Sequence, residues 1–105
     1  MGNRTTPGSG RAYLSDPSAL GYESVTVSTT AIGFTAATYK DADVAIITVE
    51  DANVRFRIDG TAPTTTEGHI AYEQDVVMLR NQADIANFQA IRDDAVDAIL
   101  KVSFS

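Results

Sequence analysis

Apolar and polar positions in this chain alternate mostly with a period of two, the pattern of strands with one buried face. Val25 and Val27 alternate with Ser24, Thr26 and Ser28, which predicts a half-buried strand. Residues 29–40 (TTAIGFTAATYK) are small and threonine-rich, with Ile32, Phe34 and Tyr39 as inward contacts and a bend at Gly33. Residues 43–50 (DVAIITVE) are nearly continuous Val, Ile and Thr, predicting a central strand covered on both faces. After a short turn at Asp51-Ala52-Asn53, residues 54–58 give the cleanest alternation: Val54, Phe56 and Ile58 inward, Arg55 and Arg57 outward. The runs 43–50 and 54–58 together read as a hairpin. A polar loop leads to Gly68, then come a short strand over 69–72, a further buried strand over 75–80 and a loop or single turn over 81–86.

The last stretch supports two readings. At helical spacing, Ile85, Phe88, Ile91, Ala95, Ile99 and Val102 share one face. At period two, Phe88, Ala90 and Arg92 form one strand face; after a turn at Asp93-Asp94, Val96, Ala98, Leu100, Val102 and Phe104 form another. The ending Ile99-Leu-Lys-Val-Ser-Phe104 favours strands. Short strands with turn signals every eight to twelve residues predict an all-β fold. That fold is a small antiparallel sandwich or barrel, Greek-key or jelly-roll-like, occupying residues 23–105. The alternative is α+β with a C-terminal helix.

Residues 1–22 differ from the rest of the chain. They are rich in Gly, Ser, Thr and Pro, are broken at Pro7-Gly8-Ser9-Gly10, and show neither period. They read as an extended arm, with Tyr13, Leu14, Leu20 and Tyr22 as anchors, or else as a frayed tail with a partly ordered end. Charge divides at the same place. Arg4 and Arg11 against Asp16 leave the arm at +1, whereas six cations and thirteen anions leave the rest at −7. A faintly basic arm before an acidic body suits docking on an acidic neighbour, including another copy of the body. Arg4, Arg11, Tyr13, Leu14, Leu20 and Tyr22 are therefore the candidate assembly residues.

The overall charge of −6 disfavours bare nucleic acid and anionic lipid, which both rely on cationic surface. No apolar run approaches the ~20 residues of a membrane helix, and the opening Met-Gly-Asn-Arg-Thr-Thr-Pro has no signal-peptide core. With no cysteine, disulfide scaffolds, thiolate metal sites and cysteine nucleophiles are excluded. The single histidine, His69, has no H-x-H or H-x₃-H partner, and no serine sits in a Gly-x-Ser-x-Gly elbow. Asp93, Asp94 and Asp97 lack the spacing of an EF-hand and read as a solvated turn. Gly8 and Gly10 fit G-x-G but follow no strand and open no helix. A sugar cleft between two carboxylates would leave little room for a core in a chain this small. The residues thus point away from an enzyme and call for no cofactor.

One ordered series carries a likeness. The block Val54-Arg-Phe-Arg-Ile-Asp-Gly-Thr-Ala-Pro-Thr-Thr-Thr-Glu-Gly-His69 is followed by Asp75-Val-Val-Met-Leu79, Asn87-Phe-Gln-Ala-Ile-Arg92 and Ala98-Ile-Leu-Lys-Val-Ser-Phe104. The series resembles small virion proteins encoded among the structural genes of tailed bacteriophages. It spans residues 43–104, and R-x-R-x-D-G-T-A-P-T is its most specific part. The family's Gly-rich turn after N-F-x-A-I-R is replaced here by Asp93-Asp-Ala-Val-Asp97. The resemblance implies a non-enzymatic virion component, assembled in the host cytoplasm, without fixing which one; the acidic body makes the first expectation a capsid cement or decoration protein that binds copies of itself and the major capsid protein. A neck or tail ring subunit is the second expectation, and a carbohydrate- or receptor-binding β-module the third.

Overall fold

A computed structural model describes residues 20–105. Within them the chain forms seven strands and two short helices. The strands are β1 (Gly21–Val27), β2 (Ala45–Glu50), β3 (Val54–Arg57), β4 (His69–Ala71), β5 (Val76–Leu79), β6 (Gln89–Arg92) and β7 (Ala98–Phe104). The helices are α1 (Ala36–Tyr39) and α2 (Gln82–Asn87). All strand pairs are antiparallel, in a four-stranded sheet ordered β1-β7-β2-β5 and a three-stranded sheet ordered β4-β3-β6. The all-β expectation holds, and the C-terminal stretch is two strands with no helix after Asn87.

Period-two patterning builds the core. In β7, Ala98, Leu100, Val102 and Phe104 are buried while Ile99, Lys101 and Ser103 face the other way. Strand β7 lies between β1 and β2, so its buried face meets Val25 and Val27 on one side and Ala45, Ile47 and Val49 on the other. The second sheet adds Val54, Ala71 and Ala90 to the same cluster, and Ile85 of α2 closes it. Each fully buried Leu, Ile, Val or Phe contributes about 1.5–3 kcal/mol of transfer free energy. All four phenylalanines meet here: Phe34 stacks on Phe88, Phe56 lies 5.5 Å from Phe88, and Phe104 sits edge-on to Phe34 at 5.4 Å.

Several local expectations are corrected. Strands β2 and β3 are not a hairpin: β2 pairs with β5 and β7, and β3 with β4 and β6. Asp51, at φ 75°, turns the chain out of the first sheet, and buried Ala52 fills the corner. Asn53 pins that corner, its carbonyl accepting from Asp93 N–H and its side chain from Glu73 N–H. The apolar faces of β2 and β3 thus look at each other across the core. Alternation is the same for strands placed side by side and strands placed opposite, so it does not choose between them.

Strand β2 is central but covered on one face only, since Ile46 is exposed opposite buried Ile47. Strand β5 lies at a sheet edge with Val76 and Met78 exposed, against the buried strand expected over 75–80. The first strand begins at Gly21, so Gly21 and Tyr22 belong to the body rather than to the arm. Residues 81–86 exceed a single turn: Asn81 caps α2, its side chain accepting from Asp84 N–H at 2.9 Å.

Candidate interaction surface

The outer face of the four-stranded sheet follows from register. Tyr22, Ser103, Ile46 and Met78 form one row across its strands, and Ser24, Lys101, Thr48 and Val76 form the next. Tyr22 is 59% exposed, Val76 62%, Met78 46% and Ile46 40%. Thr26, Ile99 and Glu50 make a third row. Within these three rows only Glu50 and Lys101 carry charge, although the chain beyond residue 22 carries nineteen charged side chains. Lys101 reaches Ser24 Oγ at 3.3 Å. A charge-poor patch with an exposed Tyr, Met, Ile and Val has the composition of a protein interface, where Tyr and Met are enriched and charge is depleted.

Elsewhere three arginines are paired locally. Arg55 spans two partners, its Nε donating to Asp93 Oδ1 at 3.0 Å and an Nη to the Gly68 carbonyl at 3.0 Å. Arg57 donates through Nε to Asp59 Oδ1 at 3.1 Å and also through an Nη. The hydrogen bonds from Arg57, then from Thr61 N–H, hold the Asp59 carboxyl down at about 2, and Asp59 in turn raises Arg57. Asp97 is lowered by hydrogen bonds from Ser28 and then Arg92, whose guanidinium lies 2.6 Å away. Asp93 and Asp97 thus pair with arginines rather than with each other.

A surface pocket of about 390 Å³ lies between the end of β3 and the loop before β4, lined by Arg57, Asp59, Glu67 and His69 among others. Its arginine is engaged by Asp59, and the His69 ring leans on Phe56 at 5.5 Å. Nothing in it pairs a nucleophile with a base. Among the described residues no polar or charged side chain is fully buried, and no three His, Asp or Glu side chains converge on a cation site.

Of the candidate assembly residues, Arg4, Arg11, Tyr13 and Leu14 lie outside the described residues. Leu20 and Tyr22 are both exposed, and Leu20 N–H bonds the Phe104 carbonyl at 2.8 Å, joining the segment to the sheet beside β7. Tyr22 shares its row with Ile46 and Met78, which the apolar runs of the sequence assign to buried strands. Their signal was present: in both AIITVE and VVML every second residue faces away from the core, which an unbroken apolar run conceals. The chain matches no protein-family model, no curated protein and no solved structure.

Proposed function

We propose that this protein is a non-enzymatic structural component of a tailed-phage particle, a cement or decoration subunit binding its own copies and the major capsid protein on the head exterior. The observation that carries the reading is the outer sheet face, weakly charged and partly apolar on an otherwise acidic body. Acidic character elsewhere suits a surface turned away from DNA. The R-x-R-x-D-G-T-A-P-T series supports the same reading. In the body its residues do structural work: Arg55 ties β3 to the corner at Asp93 and to the loop at Gly68, Arg57 and Asp59 pair, and Pro63 is buried.

The test is loss and restoration. Particles made without this chain should break at lower temperature or lower salt than complete ones, and adding the purified protein back should restore them. Equal robustness with and without it overturns the cement role.

A further inference from the structure

Among the described residues two of the four sheet edges are blunted. The 35–38 segment packs on the inner face of β1 and not along its edge: a Cβ on Gly21 would meet the Thr38 carbonyl at 3.0 Å, and Glu23 accepts from the N–H and Oγ1 of Thr35. Strand β6 is covered by Ile32, which exchanges both backbone bonds with Ala90 at 2.9 Å. Strand β4 is three residues long. Among the described residues β1 and β5 both keep an open side, and β5 is the one with no Pro and no charge, from Val76 to Leu79. Exposed apolar edges of this kind are what soluble proteins otherwise blunt with Lys, Pro or a covering segment.

The register shows which groups are free. Gln74, at φ 78°, and Asp75 form a bulge opposite Val49: Gln74 N–H donates to the Val49 carbonyl and Val49 N–H to the Asp75 carbonyl. Alternation from that point makes Val77 opposite Ile47 and Leu79 opposite Ala45 the bonded pairs of β5 with β2. The N–H and C=O groups of Val76 and Met78 therefore point outward, and among the described residues no hydrogen bond reaches them.

We propose that the β5 edge pairs with the β5 edge of a second copy, antiparallel about a twofold axis at Val77, joining two four-stranded sheets into one of eight strands. This names the self-association surface of the assembly reading above, on which it rests. Hydrogen bonding restricts the register to pairs among the outward-pointing residues. With the axis at Val77, Val76 of each copy exchanges bonds with Met78 of the other, and Ile46, Val76 and Met78 of both copies form one apolar cluster. Arg80 of each copy then comes beside the other's acidic turn at Glu73 and Asp75. An axis at Met78 would instead set Val76 against Arg80. Antiparallel pairing about a dyad is self-complementary, and the opposite charges favour a second copy over an unrelated strand. So short an edge buries less than the ~800 Å² per partner of a standard interface, so pairing is weak in solution and gains from arraying.

Sedimentation velocity of the full chain across a rising concentration series tests this. The expected result is a reversible shift from 11.2 kDa toward twice that mass. Met78→Lys, at an exposed position, should weaken association by roughly tenfold or more without changing the circular dichroism. Because the chain has no cysteine, Val77→Cys should oxidise readily to a covalent dimer, while Ser24→Cys on the opposite edge strand should not. A chain that stays monomeric at every concentration overturns the proposal and leaves the edge to a strand of another protein. Equal association by Met78→Lys, or equal cross-linking by the two cysteine variants, does so as well. Incorporation of a strictly monomeric chain into particles would remove this interface and keep the assembly reading. Dimers that never enter particles would do the reverse.

Discussion

Phe34 and Phe88 stack face to face, their ring centroids 4.6 Å apart and their planes within 5° of parallel. Phe34 belongs to the segment leaving β1, and Phe88 closes α2 immediately before β6. The contact fastens a long connection to the junction of both sheets. Phe88 is fully buried, so Phe88→Ala should cost about 3–5 kcal/mol, a large part of the stability of a small domain. Phe34→Ala, at a half-buried position, should cost clearly less. Urea unfolding followed by circular dichroism measures both, and equal losses would contradict the central role of Phe88.

Arg55 holds Asp93 and the Gly68 carbonyl at once, with its side chain 22% exposed. A lysine ammonium is a point charge without the planar fork needed to serve both. Arg55→Lys should therefore lose nearly as much stability as Arg55→Ala, on the order of 1–2 kcal/mol for either. Recovery of wild-type stability by lysine would show that charge alone matters there.

Gly68 adopts φ 139°, and a Cβ at this position would lie 3.0 Å from the Phe56 carbonyl and 3.2 Å from Cβ of Pro63. Both the backbone conformation and the space exclude a side chain. Gly68→Ala should destabilise by about 1–3 kcal/mol and loosen the loop it closes, read as faster amide exchange around β4. Unchanged exchange would contradict that role.

Acid sensitivity follows from two carboxylates. Asp59, at about 2, and Asp97 both lie below their ordinary value of 3.8 in the folded chain. A group depressed on folding adds stability above its unfolded value, and that stability is lost as pH falls through the folded one. Stability should hold near neutrality and decline from about pH 4 toward pH 2. Asp59→Asn should flatten part of that decline in a series of urea midpoints; coincident profiles for variant and parent would show that the Arg57–Asp59 pair contributes nothing.

The sheets were legible in the sequence where alternation was clean. Leu100, Val102 and Phe104 announce β7, and Val25 with Val27 announces β1, because one face of each is apolar and the other polar. Partnership was not legible. Val54 and Phe56 oppose β2 instead of lying beside it, a choice made by Asp51 in the left-handed region and by the bonds around Asn53. The candidate surface was half visible. Tyr22 stands out in the sequence as an anchor, whereas Ile46, Val76 and Met78 sit in apolar runs whose exposure depends on which strand ends the sheet.

Removal of residues 1–19 tests the role assigned to the basic arm. The β1 strand and the Leu20–Phe104 bond remain in the shortened chain. Its circular dichroism and melting should match the parent, while its incorporation into particles should fail. Normal incorporation would show that Arg4, Arg11, Tyr13 and Leu14 take no part in assembly.

Most direct of all is the copy number of the chain in purified, intact phage particles, read by gel densitometry against the major capsid protein. A cement subunit should be present at a repeated stoichiometry on the order of hundreds per head. About a dozen copies would place it in a ring at the neck or tail, and its absence from the particle would contradict the account as a whole.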